Sequence, residues 1–367
     1  MISTKKIICL ITILIVIFTL VSCKGVIVTT EGVIFEKIEG KDEYAVVGYT
    51  GTAQDVIIAE RHERFPVTQL KSDAFKDLDI DIKSLILPDT ISLIEKRALT
   101  EVEILVFNVP RDLYYFADAF YPPRNIEFIL PTNHKYHKEI LINEHKSIVT
   151  KDEKELIYVF DTVLSGIVLT LPDSIMKIGP NALMSTHFSQ IVVPDTVEEV
   201  GDNAFFDTPE TLLNIPSNII KIGIASYAKS SFSGALELPE GLIEIGSGAF
   251  MDNSISTISF PASISTFGLS IFKNTANAFD QHNIISKIIF HSFSLNQISI
   301  DEFVFYFVYL NFEYFYSENT IEIILPIDET EADILRDAIT RSHEQAVLLW
   351  TNSQRVIPDL TFTFTNP

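Results

Sequence analysis

One short motif recurs five times between Pro172 and Pro261, and it constrains the fold more than any other feature. Each copy is an apolar–variable–apolar tripeptide that ends in proline. The prolines follow one another at steps of 22, 22, 23 and 22 residues, at Pro172, Pro194, Pro216, Pro239 and Pro261. A fixed period of this length is typical of a solenoid, because one unit can bury its apolar face only against the next.

The residues before each proline predict a strand. The positions one and three residues before it are apolar, as in Leu169 and Leu171, and the residue between them varies. Alternation with a period of two indicates a short strand with one buried and one exposed face. Proline lacks the N–H group of a ladder hydrogen bond, so it marks the end of that strand.

The residues after each proline predict a turn. Seven positions on, glycine recurs at Gly179, Gly201, Gly223, Gly246 and Gly268. Such a column indicates either a positive φ or a close approach between coils. A small–large pair follows, such as Ala182 and Leu183, and it predicts a short helical turn packed against the strands.

The same register continues in weaker form on both sides. It is visible upstream at residues 85–88, 107–110 and 128–131, and downstream at 323–326, and Glu95 stands where a glycine is expected.

The unit strand–Pro–x–x–(Val/Ile)–x–x–Ile–Gly–x–x–Ala–Phe resembles the BspA-type leucine-rich repeats of bacterial surface proteins. The resemblance covers roughly residues 26–330. Residues 65–75, after a strand at 56–58, resemble the opening helical unit of that family, and residues 147–158 resemble the hairpin that interrupts its arrays. The resemblance implies a leucine-rich-repeat solenoid: a right-handed β/α superhelix of ~22-residue repeats with short parallel strands, short helical turns and β-hairpin interruptions.

These patterns divide the chain into six segments. They are a lipoprotein signal peptide (1–22), an N-terminal β-hairpin cap or linker (23–55), a first repeat block (56–140), a hairpin interruption (141–165), a second repeat block that is irregular and aromatic-rich after residue 272 (166–327), and a C-terminal cap (328–367). In that cap, acids precede an amphipathic helical pattern, and residues 361–365 alternate as a strand does.

The first 23 residues predict secretion and lipidation. Lys5 and Lys6 precede an apolar run, which ends in Leu20-Val21-Ser22-Cys23. This sequence looks like a bacterial lipobox, which implies cleavage before Cys23 and acylation of its thiol and amino group. Acyl chains would anchor the chain in a membrane without a spanning helix. An ordinary signal peptide with a chance cysteine is the alternative.

Charge argues against nucleic-acid partners. The formal net charge is −22, and loss of Lys5 and Lys6 with the signal peptide makes it −24. A polyanion repels phosphate backbones. A basic partner is compatible with this charge, but charge alone does not identify one.

The outward strand positions are the candidate binding surface. Several carry aliphatic or small polar side chains, and the predicted binding residues are Ile86, Val106, Ile129, Val168, Thr170, Val192, Leu212 and Asn214. Exposed aliphatic rows indicate a protein-binding face. The same residues are also those that β-propensity selects on a short strand layer.

No motif predicts catalysis, a cofactor or a metal. His134, His137 and His145 form the only histidine cluster, but no cysteine or obvious carboxylate completes a metal site, and a polar loop between repeats explains them better. The aromatic segment 303–316 is interpreted as core beneath the last coils, with a partner-binding patch as the alternative.

The sequence therefore predicts a non-enzymatic lipoprotein of the bacterial cell envelope, on the outer surface or the periplasmic face, that binds protein or glycan partners. Adhesion to host cells or matrix is what the family resemblance implies. The alternative is a periplasmic structural or assembly scaffold without a host ligand.

Overall fold

The computed structural model describes residues 28–76, 78–96, 98–99, 106–114, 116, 127–160, 166–268, 271–272, 286–291, 320–325, 333 and 359–364. The chain divides into two compact units, unit 1 (residues 1–140 and 148–151) and unit 2 (141–147 and 152–367). Within the described ranges, no helix has the length and apolar character needed to cross a membrane.

Unit 1 consists of two small sheets. Its strands are β1 (Val33–Lys37), β2 (Tyr44–Tyr49), β3 (Asp55–Ile57), β4 (Arg61–His62), β5 (Phe65–Leu70), β6 (Ser84–Ile86), β7 (Leu93–Ile94), β8 (Val106–Asn108) and β9 (Glu127–Ile129). One sheet has the order β1-β2-β5-β4, with β7 also paired to β5, and the other is the parallel sheet β3-β6-β8-β9.

The helical unit predicted for residues 65–75 is not formed. Residues 65–70 are strand β5, which pairs in parallel with both β2 and β7. Val67 and Leu70 are fully buried in this arrangement. Pairing on both sides satisfies the backbone of β5 from neighbouring coils, so this segment needs no helical hydrogen bonds.

The residues of a β-hairpin are divided between the two units. It consists of β10 (His137–Ile142) and β11 (His145–Thr150). Asn143 and Glu144, at its turn, have φ values of 47° and 69°. Positive φ at both central residues is the geometry of a type I′ turn, which suits the twist of paired strands.

Unit 2 contains three parallel sheets. Its strands are β12 (Glu155–Val159), β13 (Val168–Thr170), β14 (Lys177–Ile178), β15 (Gln190–Val192), β16 (Glu199–Val200), β17 (Leu212–Leu213), β18 (Lys221–Ile222), β19 (Ser233–Glu237), β20 (Glu244–Ile245), β21 (Ser254–Phe260), β22 (Thr266–Phe267), β23 (Lys287–Phe290), β24 (Thr320–Leu325) and β25 (Asp359–Phe364).

The sheets of unit 2 confirm the repeat. Strands that precede prolines form the sheet β13-β15-β17 and recur as β19, β21 and β24 in the sheet β19-β21-β23-β24-β25. The short strands after the prolines are β14, β16, β18, β20 and β22, and they continue from β12 in a further sheet. Partners in β13 and β15 are 22 residues apart, as in Leu169 and Ile191. The strand predicted for residues 361–365 is present as β25, paired in parallel with β24.

The segment after each glycine of the column does not form the predicted helical turn. Leu183 N donates to Ala204 O (2.9 Å), and Phe205 N donates to Ser226 O (2.8 Å), so the amides bond to the next coil. Asn181 and Asn203 have φ values of 56° and 54°, which no α-helix contains. The described repeats hold no helix, and the fold is a β-solenoid instead of a β/α superhelix.

The glycine column is explained by close approach of coils. None of its five members has a positive φ. A Cβ atom on Gly223 would lie 2.6 Å from the carbonyl carbon of Gly201, and one on Gly246 would lie 2.5 Å from that of Gly223. Where Glu95 replaces glycine, its carboxylate accepts hydrogen bonds from Lys71 Nζ (2.8 Å) and Ser72 N (2.9 Å) of the preceding coil.

The small–large pairs supply an aromatic stack in the core. The ring centroids of Phe205 and Tyr227 are 5.1 Å apart, those of Tyr227 and Phe250 are 5.4 Å apart, and those of Phe250 and Phe272 are 5.9 Å apart. Each pair of rings is close to parallel. One ring per coil therefore joins successive repeats into a continuous core.

Candidate functional site

The outward face of β13-β15-β17 carries five of the predicted binding residues. Val168 and Leu212 lie in one row with Gln190 between them. Thr170 and Val192 are partners in the second row. Asn214 extends this row beyond the end of β17, because its side chain bonds to both backbone groups of Val193: Nδ2 donates to Val193 O (2.8 Å), and Oδ1 accepts from Val193 N (2.9 Å).

This face is exposed, carries aliphatic side chains in both rows and has no ionisable groups. Leu212 is 63% exposed and Val168 is 45% exposed. Thr170 and Asn214 are exposed, and Val192 is half-buried. Such a surface can bury aliphatic area against a partner and offer hydroxyl and amide groups for orientation.

The other three predicted residues lie in unit 1. Ile86 and Ile129 occupy one row of the sheet β3-β6-β8-β9, with Asn108 between them, and both are half-buried. Val106 is the register partner of Ser84 in the neighbouring row. The eight predicted residues therefore belong to two separate sheets in two units.

The strand layer is interrupted next to Leu212. No pairing joins β17 to β19 within the described residues, although these strands precede successive prolines. Leu213 and Ile215 are half-buried, whereas their counterparts Leu169 and Leu171 are 0% and 2% exposed. The interruption coincides with the single 23-residue step of the repeat, and we call the space between β17 and β19 the strand gap.

The sheet β12-β14-β16-β18-β20 displays a row of alternating charge that sequence analysis missed. The row consists of Glu155, Lys177, Glu199, Lys221 and Glu244, each the register partner of the next. The distance from the lysine nitrogen to the nearest carboxylate oxygen is 3.4 Å for Lys177–Glu155, 3.7 Å for Lys177–Glu199 and 2.9 Å for Lys221–Glu244. Alternation of Lys and Glu five residues after successive prolines is the signal that could have revealed it.

Exposed aliphatic residues border this charged row. Met176, Ile220 and Ile243 are 37%, 41% and 45% exposed, and each immediately precedes a strand of the charged sheet. All three stand four residues after a proline, so the repeat alignment contained their positions. The charged sheet is thus neutralised by its own partners, in contrast to the uncharged face around Leu212.

The histidine cluster is buried, which contradicts its interpretation as a polar loop. His134 is 0% exposed and His137 is 2% exposed, and their rings stack with centroids 4.8 Å apart. Tyr114 lies 5.2 Å from the ring of His137. Burial lowers the pKa of His137 to about 3, and burial also lowers that of His134. Aromatic packing places these side chains in the core.

His145 belongs to unit 2. It is buried, and its ring makes an edge-on contact with Phe188 at 4.9 Å. Across the part of the chain that the structure describes, no three His, Cys, Asp or Glu side chains are grouped so that they could hold a metal ion.

Several predictions concern parts of the chain outside the described residues. They are the signal peptide, the lipidation site Cys23, the aromatic segment 303–316 and all but Asp333 of the C-terminal helical pattern.

Comparison with known proteins identifies the repeat. A family model described as BspA type leucine-rich repeat region matches residues 62–150 and 157–279, in six copies. None of the curated proteins matches the chain.

Solved structures with similar folds are distant in sequence. A leucine-rich cell surface protein of Faecalibacterium prausnitzii is 13% identical, with a TM-score of 0.38, over 70% of this chain and 97% of its own. The pneumococcal vaccine antigen PcpA is 12% identical, with a TM-score of 0.43, over 92% and 98%. A leucine-rich repeat protein of Eubacterium ventriosum is 13% identical, with a TM-score of 0.33, over 62% and 66%.

Proposed function

Because the chain belongs to the BspA-type leucine-rich repeat family, we propose that it is a non-enzymatic protein of the bacterial cell envelope that binds protein or glycan partners. Proteins with such repeats generally act by binding other proteins. The binding surface in this proposal is the outward face of β13-β15-β17. The observation that carries it is Leu212, a leucine that is 63% exposed within an uncharged row of a parallel sheet.

The sheet is suited to binding because hydrogen bonds organise its backbone before a partner arrives. The three strands pair in parallel. Beyond β17, Asn214 continues the layer through its two hydrogen bonds to Val193. A preorganised face loses little conformational entropy when a partner docks, so more of the buried area contributes to affinity.

A paired substitution tests the surface. Leu212→Glu places a charge on the proposed face, and Ile243→Glu places the same charge on an exposed aliphatic site beside the other sheet. We expect Leu212→Glu to reduce capture of extracellular-matrix proteins and glycans on an array at least about tenfold, as loss of a main binding contact does. Equal binding of both variants and the parent chain would contradict the proposed face.

Lipid anchoring at Cys23 is the second part of the proposal. The apolar run and the sequence Leu20-Val21-Ser22-Cys23 support it. Cys23→Ser is expected to move the protein from the membrane to the soluble fraction and to abolish the mass increase due to acyl chains, because one signal peptide without acylation provides no stable anchor. A membrane-bound, acylated Cys23→Ser protein would refute this assignment.

The side of the membrane on which the repeats are exposed distinguishes adhesion from the alternative scaffold role. Adhesion to host cells or matrix requires that β13-β15-β17 be accessible from outside the cell. Protease treatment of intact cells should then degrade the repeats, with a periplasmic marker protein as the intact control. Full protection of the repeats, together with degradation after permeabilisation, would favour a periplasmic structural or assembly scaffold.

A further inference from the structure

The strand gap leaves backbone groups of two neighbouring coils without the pairing found elsewhere in the sheet. In the regular coils, the residue just before the proline donates to the next coil, as Leu171 N does to Val192 O (3.0 Å). The equivalent bond from Ile215 to Glu237 is not formed, and no strand pairing joins Leu213 to Leu236, its counterpart in the following coil. The N–H and C=O groups on this side of β17 therefore face an open edge.

The gap is wider than the spacing between paired strands. Most Cα–Cα distances between β17 and β19 exceed 8 Å, whereas hydrogen-bonded strands lie about 4.8 Å apart. An inserted strand requires about twice that spacing. At its start the gap is closed, because Ser231 Oγ donates to Thr211 O. Beyond it the coils rejoin, because Ile243 N donates to Ile220 O (2.9 Å).

The gap arises where the repeat is one residue longer. Gly234 has a φ of 70°, and the register of β19 against β21 shifts between Gly234 and Ala235. The extra residue lets β19 follow β21 and leave β17. The core positions Leu213 and Ile215 are consequently half-buried, while the core residues of the following coil, Leu236 and Leu238, remain 8% and 4% exposed.

The side chains that border the strand gap define which segment could bind in it. On the outer face, Leu212 and Ala235 flank the first position, and Asn214 and Glu237 flank the position two residues further on. Glu237 is exposed, and no ion pair to it is present among the described residues. The outward side chains of a segment placed here would first contact Leu212 and Ala235. Two residues later they would contact the carboxylate of Glu237 and the amide of Asn214. The inward side chains of the segment meet the half-buried Leu213 and Ile215.

We propose that the strand gap binds an extended segment of a partner protein by strand addition between β17 and β19. The segment carries an aliphatic residue outward beside Leu212 and, two residues later, a lysine or arginine beside Glu237. Main-chain hydrogen bonds supply affinity, and the alternate side chains supply specificity. This inference rests on the proposed function, since it defines the partner chemistry of the sheet edge next to the proposed face.

Two synthetic peptides, used with the purified full chain, test the predicted preference for a basic residue beside Glu237. One contains the core Leu-Val-Lys-Val between Ser-Gly flanks, and the other contains Leu-Val-Glu-Val. Fluorescence anisotropy at low ionic strength should show that the lysine peptide binds about fivefold or more tightly than the glutamate peptide, as one solvent-exposed charge pair allows. Glu237→Lys should reverse this preference, whereas Glu36→Lys, which changes the charge of an exposed site in unit 1, should leave it unchanged.

Hydrogen exchange tests the strand addition itself. Saturating lysine peptide should slow exchange of the Leu213 and Ile215 amides about tenfold, because they enter hydrogen bonds. Absence of peptide binding, unaltered preference in Glu237→Lys, or unchanged exchange at both amides would overturn the inference. Concentration-dependent self-association that Glu237→Lys abolishes would identify a second copy as the occupant and also overturn it. Capture of array partners that persists while the peptides fail would leave the proposed function standing.

Discussion

Nζ of Lys221 lies 2.9 Å from Oε1 of Glu244, its register partner on the neighbouring coil. The hydrogen bond to Glu244 raises the pKa of Lys221 above its usual value. Glu199 is the register partner on the other side, so the lysine is flanked by carboxylates in the row. The alternation lets a strongly acidic chain stack charged coils without like charges in contact.

Reversing the charge at position 221 should destabilise the stacked coils. Lys221→Glu places three carboxylates in succession, and we expect the free energy of unfolding to fall by about 1 kcal/mol at low ionic strength. The loss should shrink in about 1 M NaCl because exposed charges are screened. Denaturant titrations at both salt concentrations measure it. Lys76→Glu, an exposed site with the same change of charge, is the control, and an equal loss in both variants would contradict a role for the row.

The glycine column should not tolerate a single methyl group. In Gly223→Ala the new Cβ would lie 2.6 Å from the carbonyl carbon of Gly201, so neighbouring coils must separate. Overpacking of this kind costs about 3 kcal/mol. Thermal and denaturant unfolding of the purified chain measure the loss. The adjacent Ile224→Ala, at a 49% exposed side chain, should change stability by less than about 1 kcal/mol.

Removing one hydroxyl group should stabilise the core. Tyr227 is fully buried between Phe205 and Phe250, and its Oη has no hydrogen-bond partner among the described residues. Tyr227→Phe keeps both stacked contacts and removes an unsatisfied polar atom, so the free energy of unfolding should rise by about 1 kcal/mol. Tyr227→Leu, which loses the stacked rings, should lower it. A destabilised Tyr227→Phe protein would show that the hydroxyl has a partner.

Acid should weaken the fold through His137. The imidazole has a pKa of about 3 in the folded chain because burial penalises its charge, against about 6.5 when unfolded. The unfolded state therefore binds the proton first, and stability decreases as the pH falls from about 6.5 towards 3. The contribution amounts to about 2 kcal/mol at pH 5.

Denaturant titrations at several pH values test this prediction. His137→Phe keeps an aromatic ring beside Tyr114 and Phe116, so its loss of stability between neutral pH and pH 5 should be smaller than that of the parent chain. The exposed His187→Gln serves as the control. Identical pH dependence of the parent and His137→Phe proteins would refute a folded-state pKa far below 6.5.

The repeat alone was sufficient to predict the strands of the central coils. Leu169 and Leu171 were predicted as inward positions and are buried, and Thr170 between them is exposed. Alternation and proline placement act within a few residues, so they can be interpreted without knowledge of distant partners. The helical turns were predicted wrongly because the small–large pair is compatible with either a helix or hydrogen bonds to the next coil, and only the stacked neighbour decides between them.

The period, the strand that ends at each proline and the apolar core positions can be predicted from the amino-acid sequence without the structure. The tertiary structure alone decided that the glycines permit contact between coils, that His134 and His137 are buried, that Lys and Glu alternate in a row, and that β17 and β19 separate. The physical reason is that these features depend on the register between residues about 22 positions apart. One additional residue in a single coil shifts that register, and its consequence appears only once both coils are in place.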